Sequence, residues 1–162
     1  MTWTSQTVRD FIAARHIRAR VLPMPEDTHT AEDSARALGT DTAHIAKSLL
    51  AHLSDARFVL CIVRGDQRLD RRKLCAAAGA KRMSLATAEE VLEVTGYPVG
   101  AVPPLALKAA VPTYLDRSVL EVPVVYCGGG EVDALLEIST EELGRVTGAE
   151  VVDLVLALTE KP

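Results

Sequence analysis

HIAKSLL, residues 44–50, sets a lysine inside an apolar run, and its conformation decides how the rest of the chain assembles. As a strand it puts Lys47 on one face with Ile45, Leu49 and Ala51, because successive side chains alternate between faces. As a helix it buries Ile45, Ala46, Leu49, Leu50 and Leu53 as one stripe and turns Lys47 to water. The first arrangement aims an ammonium at whatever covers that face. The second gives an ordinary solvated lysine, and the residues by themselves admit both.

Working outward, RFVLCIVRGD (57–66) is the clearest strand, since residues 58–63 are apolar throughout, as in a strand buried on both faces. Upstream, TSQTVRDFIAARHI (4–17) has helical spacing with Thr4 or Ser5 as N-cap, and RARVLPM is a short strand stopped near Pro23. Thr30 opens a helix that Gly39 closes, with Asp33 in the capping-box position. Downstream, RLDRRKLCAAAGA is a helix ending at Gly79, RMSLA a short strand, and TAEEVLEVTG a helix with a capping box from Thr87 to Glu90. YPVGAVPPLAL (97–107) is a rigid loop, because Pro103 and Pro104 fix φ and remove two donors. PTYLDRSVL, PVVYCGGG and ALLEIS read as strands, Thr140 to Gly148 as a helix, and AEVVDLVLAL (149–158) as a last strand. Helices alternate with strands early and strands cluster late. The expectation is an α/β fold: one compact domain over residues 1–162, with a mixed, partly barrel-like sheet flanked by helices.

Composition narrows the function classes. With 162 residues the chain is long enough for one sizeable core, and aromatic content of 4 % leaves Leu, Val, Ile and Ala to fill it. A net charge of −4 argues against a nucleic-acid binder driven by bulk charge, and no DNA partner is expected. The three cysteines, Cys61, Cys75 and Cys127, are far apart and odd in number, which suits buried thiols in a reducing compartment rather than a disulfide framework. The N-terminus lacks the apolar core of a signal peptide, and no run approaches the ~20 residues of a membrane span. A soluble cytoplasmic protein with no membrane partner is expected.

Familiar catalytic signatures are missing: no HExxH, GxSxG, P-loop or GxGxxG occurs. The four histidines fall in the N-terminal third without paired metal spacing, so neither a metal nor a cofactor is expected. Four features carry chemistry, each beside a plainer structural reading. Lys47 is either a pocket ammonium or a surface lysine. The loop from Gly100 to Pro104 is either a pocket wall or a turn. Gly128, Gly129 and Gly130 let a ligand approach backbone N–H groups that hold an oxyanion, or they form a hairpin bulge. Arg64, Arg68, Arg71, Arg72, Lys73, Lys81 and Arg82 form a basic surface for phosphates, or a solvated helix face.

Taken in order, HTAEDSARALG, HIAKSLL, RGDQRLDRRKL, EEVLEVTGYPVGAVPP, VPTYLDRSVL, VYCGGGEVDALLEIS and EELGRVTGA resemble the YbaK/aminoacyl-tRNA synthetase-associated domain family. These are free-standing relatives of the editing domain of bacterial prolyl-tRNA synthetases. The resemblance runs from Thr30 to Asp153 and implies a compact α/β fold with a mixed, barrel-like sheet. It implies hydrolysis of a mischarged aminoacyl-tRNA, with a small amino acid released from tRNA. Lys47 would then line a cleft at a helix-to-strand junction and hold the terminal phosphate or ribose as a point charge. Thr30, Ser48, Gly100, Ala101, Val102, Pro103, Pro104, Gly128, Gly129 and Gly130 would contact the substrate. Arg64, Arg68, Arg71, Arg72 and Lys73 would contact tRNA, with a synthetase as a further partner. The family's ribose hydroxyl would help activate water, in keeping with the missing triad.

This chain departs from the family pattern at three places. Ala101 and Ala106 stand where many members have glycine, and Leu107 replaces a polar position. Methyls added at a pocket wall would shrink or reshape the site. The rival reading is therefore a non-catalytic module of the same fold that binds tRNA ends, a synthetase or an amino-acid-like ligand.

Overall fold

The computed structural model describes residues 2–157. In chain order the elements are α1 (Ser5–Ala14), β1 (Ala19–Pro23), α2 (Ala31–Leu38), β2 (Ala46–Leu53), β3 (Phe58–Arg64), α3 (Arg71–Ala78) and β4 (Met83–Leu85). They continue as α4 (Ala88–Thr95), β5 (Thr113–Asp116), β6 (Val124–Gly128), β7 (Ala134–Ser139), α5 (Thr140–Thr147) and β8 (Glu150–Val152).

The strands form two sheets. One is antiparallel, in the order β1-β7-β6; the other is mixed, in the order β4-β2-β3-β5-β8. In the second, β2 is antiparallel to β3 and β4, whereas β3–β5 and β5–β8 are parallel. An isolated parallel bridge from Ile45 to Tyr126 joins the sheets, so the barrel-like character expected from the sequence resolves into two sheets without closure. The mixed α/β architecture itself is as expected.

Two apolar clusters hold the layers together. Ala46, Leu50, Leu60 and Ile62 face Val125, Leu136 and Ile138 between the sheets. Ala51, Leu53, Val59, Cys61 and Val63 face Leu74 of α3 on the other side. The middle strand β3 is thus buried on both faces, which is why residues 59–63 carry no polar side chain.

From Ala46 onward HIAKSLL is a strand. A 3₁₀ turn at Thr42–His44, capped by Asp41, hands the chain to β2, and Lys47 pairs in register with Val63. The capping signals act as read: Thr30 and Thr87 accept from the N–H groups of Asp33 and Glu90, and Gly39, Gly79, Gly96 and Gly148 close helices in the left-handed region. Three boundaries differ from expectation. The first helix stops at Ala14, with His16 at φ 52°. PTYLDRSVL is a strand only to Asp116, whose carboxylate accepts from the Ser118 N–H and starts a 3₁₀ turn at Arg117–Glu121. The last strand covers Glu150–Val152 alone, and Leu158 of the expected strand lies outside the described residues.

Candidate active site

A cavity of about 310 Å³ opens where the two sheets meet. Its floor is the first half of β2, residues 46–50, and its walls come from the start of α2, the loop at 99–102, and Cys127 and Gly128 of β6. Leu85, Ala86, Val91 and Leu135 complete an apolar lining. Among the described residues no helix is long and apolar enough to cross a membrane.

Lys47 lies near the N-terminal end of β2 and lines this cavity, half-buried. Burial holds its ammonium below the usual lysine range; Glu32 opposes that shift, Arg68 adds to it, and Asp66 again opposes it. The hydroxyl of the adjacent Ser48 is buried and has no hydrogen-bond partner among the described residues. An unpaired buried hydroxyl costs ~1–3 kcal/mol, and Ser48 is among the residues that line the cavity.

The proline loop and the glycine run meet at the cavity wall. A Cβ on Gly128 would fall on the carbonyl of Val102, 2.7 Å from its carbon, so only glycine lets β6 and the loop touch backbone to backbone. The Gly130 N–H donates to the Ala101 carbonyl at 2.9 Å and locks the loop in place. Gly100, at φ +87°, lies so close to His29 that a Cβ would come within 2.7 Å of the His29 Cβ. Neither Gly100 nor Val102 donates its N–H to another of the described residues, which leaves both for a ligand.

Of the residues singled out from the sequence, Thr30, Lys47, Ser48, Gly100, Val102 and Gly128 line the cavity. Ala101, Pro103, Pro104, Gly129 and Gly130 do not line it; they are buried behind it and shape the wall from the rear. Ala106 and Leu107 lie off it as well, so the departures at these positions place no methyl on the cavity surface. Ala106 is held at φ 61°, and its carbonyl accepts the buried Tyr97 hydroxyl at 2.7 Å.

The basic cluster divides. Arg64 is bound to Asp66 at 2.6 Å and Glu121 at 2.9 Å, and Lys73 to Asp153 at 3.1 Å and the Val155 carbonyl at 2.6 Å. Arg71 donates to the Met83 carbonyl at 3.2 Å. Arg68 and Arg72 are exposed and make no side-chain bond to the described residues.

His29 and Asp27, neither singled out from the sequence, stand at the cavity. His29 lines it, and its Nδ1 lies 2.7 Å from Asp27 Oδ1, which also accepts the His29 N–H at 2.9 Å. The hydrogen bond between them raises the imidazole above its ordinary range and lowers the carboxyl. The signal in the sequence is the Asp-x-His spacing just before a helix N-cap, which a search for paired metal ligands passes over. Asp27, His29 and Asp33 also bring ligand atoms within 4.8 Å of one another.

The α/β scaffold of two sheets is shared with solved structures. One, described as a candidate trans-editing enzyme for prolyl-tRNA synthetase, superposes with a TM-score of 0.86 at 35 % identity over 94 % of this chain and 97 % of its own. The model of the aminoacyl-tRNA editing domain matches residues 25–146, and the chain belongs to that family. A relative from Enterococcus faecalis, described as a candidate Cys-tRNA(Pro)/Cys-tRNA(Cys) deacylase and called EbsC, is 26 % identical over 80 % of this chain and 79 % of its own. The proline–tRNA ligase of Bacillus pumilus is 38 % identical over 64 % of this chain, which corresponds to 18 % of the ligase.

Proposed function

We propose that the protein is an aminoacyl-tRNA deacylase, acting in trans to remove a small amino acid from a mischarged tRNA. The observation that carries this is the half-buried Lys47 ammonium in one cavity with the unpaired N–H groups of Gly100 and Val102. The substrate is an ester of the terminal ribose. Water attacks its carbonyl, and negative charge grows on the carbonyl oxygen. N–H groups fixed before the reaction stabilise that charge without reorganising. Lys47, half-buried, holds the ribose–phosphate end as a point charge. The unpaired Ser48 hydroxyl gains a partner when substrate enters. The apolar lining by Leu50, Val91, Val102 and Leu135 suits a small side chain and excludes a long or charged one.

Arg68 and Arg72, together with the exposed Lys81 and Arg82, are cations available to tRNA phosphates, and a synthetase partner would help a chain of net charge −4 hold its substrate. The reaction as drawn consumes water alone and runs without a metal, in the cytoplasm where tRNA is charged. The test is a panel of tRNAs mischarged with alanine, cysteine, serine and proline, incubated with wild type and Lys47→Ala. Release of at least one amino acid by wild type, reduced about 100-fold or more by Lys47→Ala, is the expected result. A fully intact panel at high protein concentration refutes it. Tight, salt-sensitive tRNA binding without release would support the non-catalytic module instead.

A further inference from the structure

An aminoacyl ester carries an α-ammonium beside its carbonyl, a charge that an ester with an acylated nitrogen lacks. Among the described residues that line the cavity, the acidic and basic side chains are Glu32 and Lys47, with the His29 ring engaged by Asp27. The cavity thus holds one anion and one cation. The substrate offers the same two charges in the opposite sense: an ammonium on the acyl side of the ester and a phosphate on the ribose side.

Glu32 is the second residue of α2 and is exposed at the cavity wall. The carboxylates around it are already engaged: Asp27 with His29, Asp33 with Arg36 and Asp66 with Arg64. Glu32 makes no ion pair or side-chain hydrogen bond to the described residues, Lys47 included. Burial lowers the Lys47 ammonium, and the field of Glu32 is the largest influence against that shift, so the two charges share the cavity without closing on each other. A helix N-terminus by itself repels a cation, and the first turn of α2 answers that field with Glu32 and Asp33.

The chemistry of the substrate carbon leaves the ammonium one place to go. Its Cα has three heavy substituents. The side chain packs on Leu50, Val91 and Leu135, and the carbonyl oxygen meets the N–H groups of Gly100 and Val102. The third substituent, the ammonium, is left for the polar wall that the start of α2 supplies. Resting on the deacylase reading, we propose that the Glu32 carboxylate binds the α-ammonium of the aminoacyl ester, so that the site accepts esters of free amino acids and rejects N-blocked ones, peptidyl-tRNA among them. Glu32 is a binding and specificity residue here and takes no part in proton transfer.

The experiment is single-turnover deacylation with the full-length protein and the aminoacyl-tRNA that wild type clears fastest, beside two neutral probes made from it. Nitrous acid deamination gives the α-hydroxyacyl ester, which puts a hydroxyl of similar size where the ammonium was; acetylation gives the N-blocked ester. Each rate is divided by the uncatalysed hydrolysis of the same ester. Variants are Glu32→Gln, Glu32→Asp and Asp33→Asn, each checked by thermal melting. Wild type prefers the ammonium ester over the α-hydroxyacyl ester about 10-fold or more, and the N-acetyl ester is poorer still. Glu32→Gln slows the ammonium ester alone, so that this preference falls to about 2-fold or less, whereas Glu32→Asp keeps part of it. Asp33→Asn removes a charge from the same helix turn but away from the cavity, and it keeps the full preference. A purely structural role for Glu32 would slow all esters alike and leave their ratio unchanged, and that result overturns the proposal. So does an undiminished preference in Glu32→Gln, or wild type that treats the ammonium and hydroxyl esters equally. Wild type inactive on every aminoacyl-tRNA refutes the deacylase reading and removes the role of Glu32 with it; active wild type without the preference removes that role alone.

Discussion

Gly128→Ala tests the backbone contact that builds the cavity wall. The residue has no left-handed φ, so alanine brings no backbone strain and the effect is purely steric. The new Cβ would lie 2.7 Å from the Val102 carbonyl carbon, against an ordinary contact of 3.4 Å or more. The loop must therefore retreat by at least about 0.7 Å in an interior as dense as a crystal. Both sides are backbone, so no flexible side chain can absorb the change. Overpacking of this kind costs ~1–3 kcal/mol, and for a chain of this length that lowers Tm by about 2–12 °C. Val102 carries one of the free N–H groups, and a misplacement near 1 Å costs about 100-fold in rate. Gly144→Ala is the matched control: it is in α5, none of the described residues beyond its chain neighbours and its own helix backbone would lie within 4 Å of a Cβ there, and its φ is ordinary. There alanine stabilises the helix by ~0.5–1 kcal/mol and leaves deacylation unchanged. Differential scanning fluorimetry and the deacylation assay read both variants. Gly128→Ala with wild-type Tm and rate would refute the account of the wall.

Three further outcomes follow. Ser48→Ala removes the buried hydroxyl without a partner, so it stabilises the ligand-free protein by up to ~1 kcal/mol while weakening substrate turnover; melting and kinetics together check the opposed signs. Glu142, fully buried, accepts from the Arg18 N–H at 2.8 Å and from Arg145 at 2.7 Å, which holds its carboxyl down at about 2. That depressed value stabilises the fold above the ordinary carboxylate range and is lost as pH falls toward 2, so Glu142→Gln flattens the acid-unfolding profile below about pH 4.5. Tyr97→Phe deletes the hydrogen bond to the Ala106 carbonyl at 2.7 Å and leaves that buried acceptor empty, which costs ~1–3 kcal/mol by chemical denaturation.

The parts legible in the sequence are those set by local chemistry. Thr30, Thr87 and four glycines mark helix ends because caps act within one turn. The five residues 59–63 declare a doubly buried strand because nothing polar interrupts them. HIAKSLL stayed open because its apolar residues satisfy both periods, and only pairing with β3 decides between them. Long-range partners account for what was not legible. Arg64 and Lys73 look like free cations until Glu121 and Asp153, distant in the chain, are folded against them. The glycine run suggests room for a ligand, and the structure shows that much of that room is taken by the Val102 and Ala134 backbones. His29 was obscure because its meaning comes from Gly100 and the cavity, not from its neighbours in sequence.

The cavity draws its floor from one sheet and its far wall from the other, and a parallel bridge at Ile45 and Tyr126 spans the gap beside Lys47. Its width is therefore governed by how thick the layer of side chains between the sheets is. Exchanging a residue such as Val125 or Ile138 for a larger or smaller one spreads or closes the two halves like a shim under a hinge. Selectivity among amino acids can then change over evolutionary time while every residue that touches the substrate stays the same.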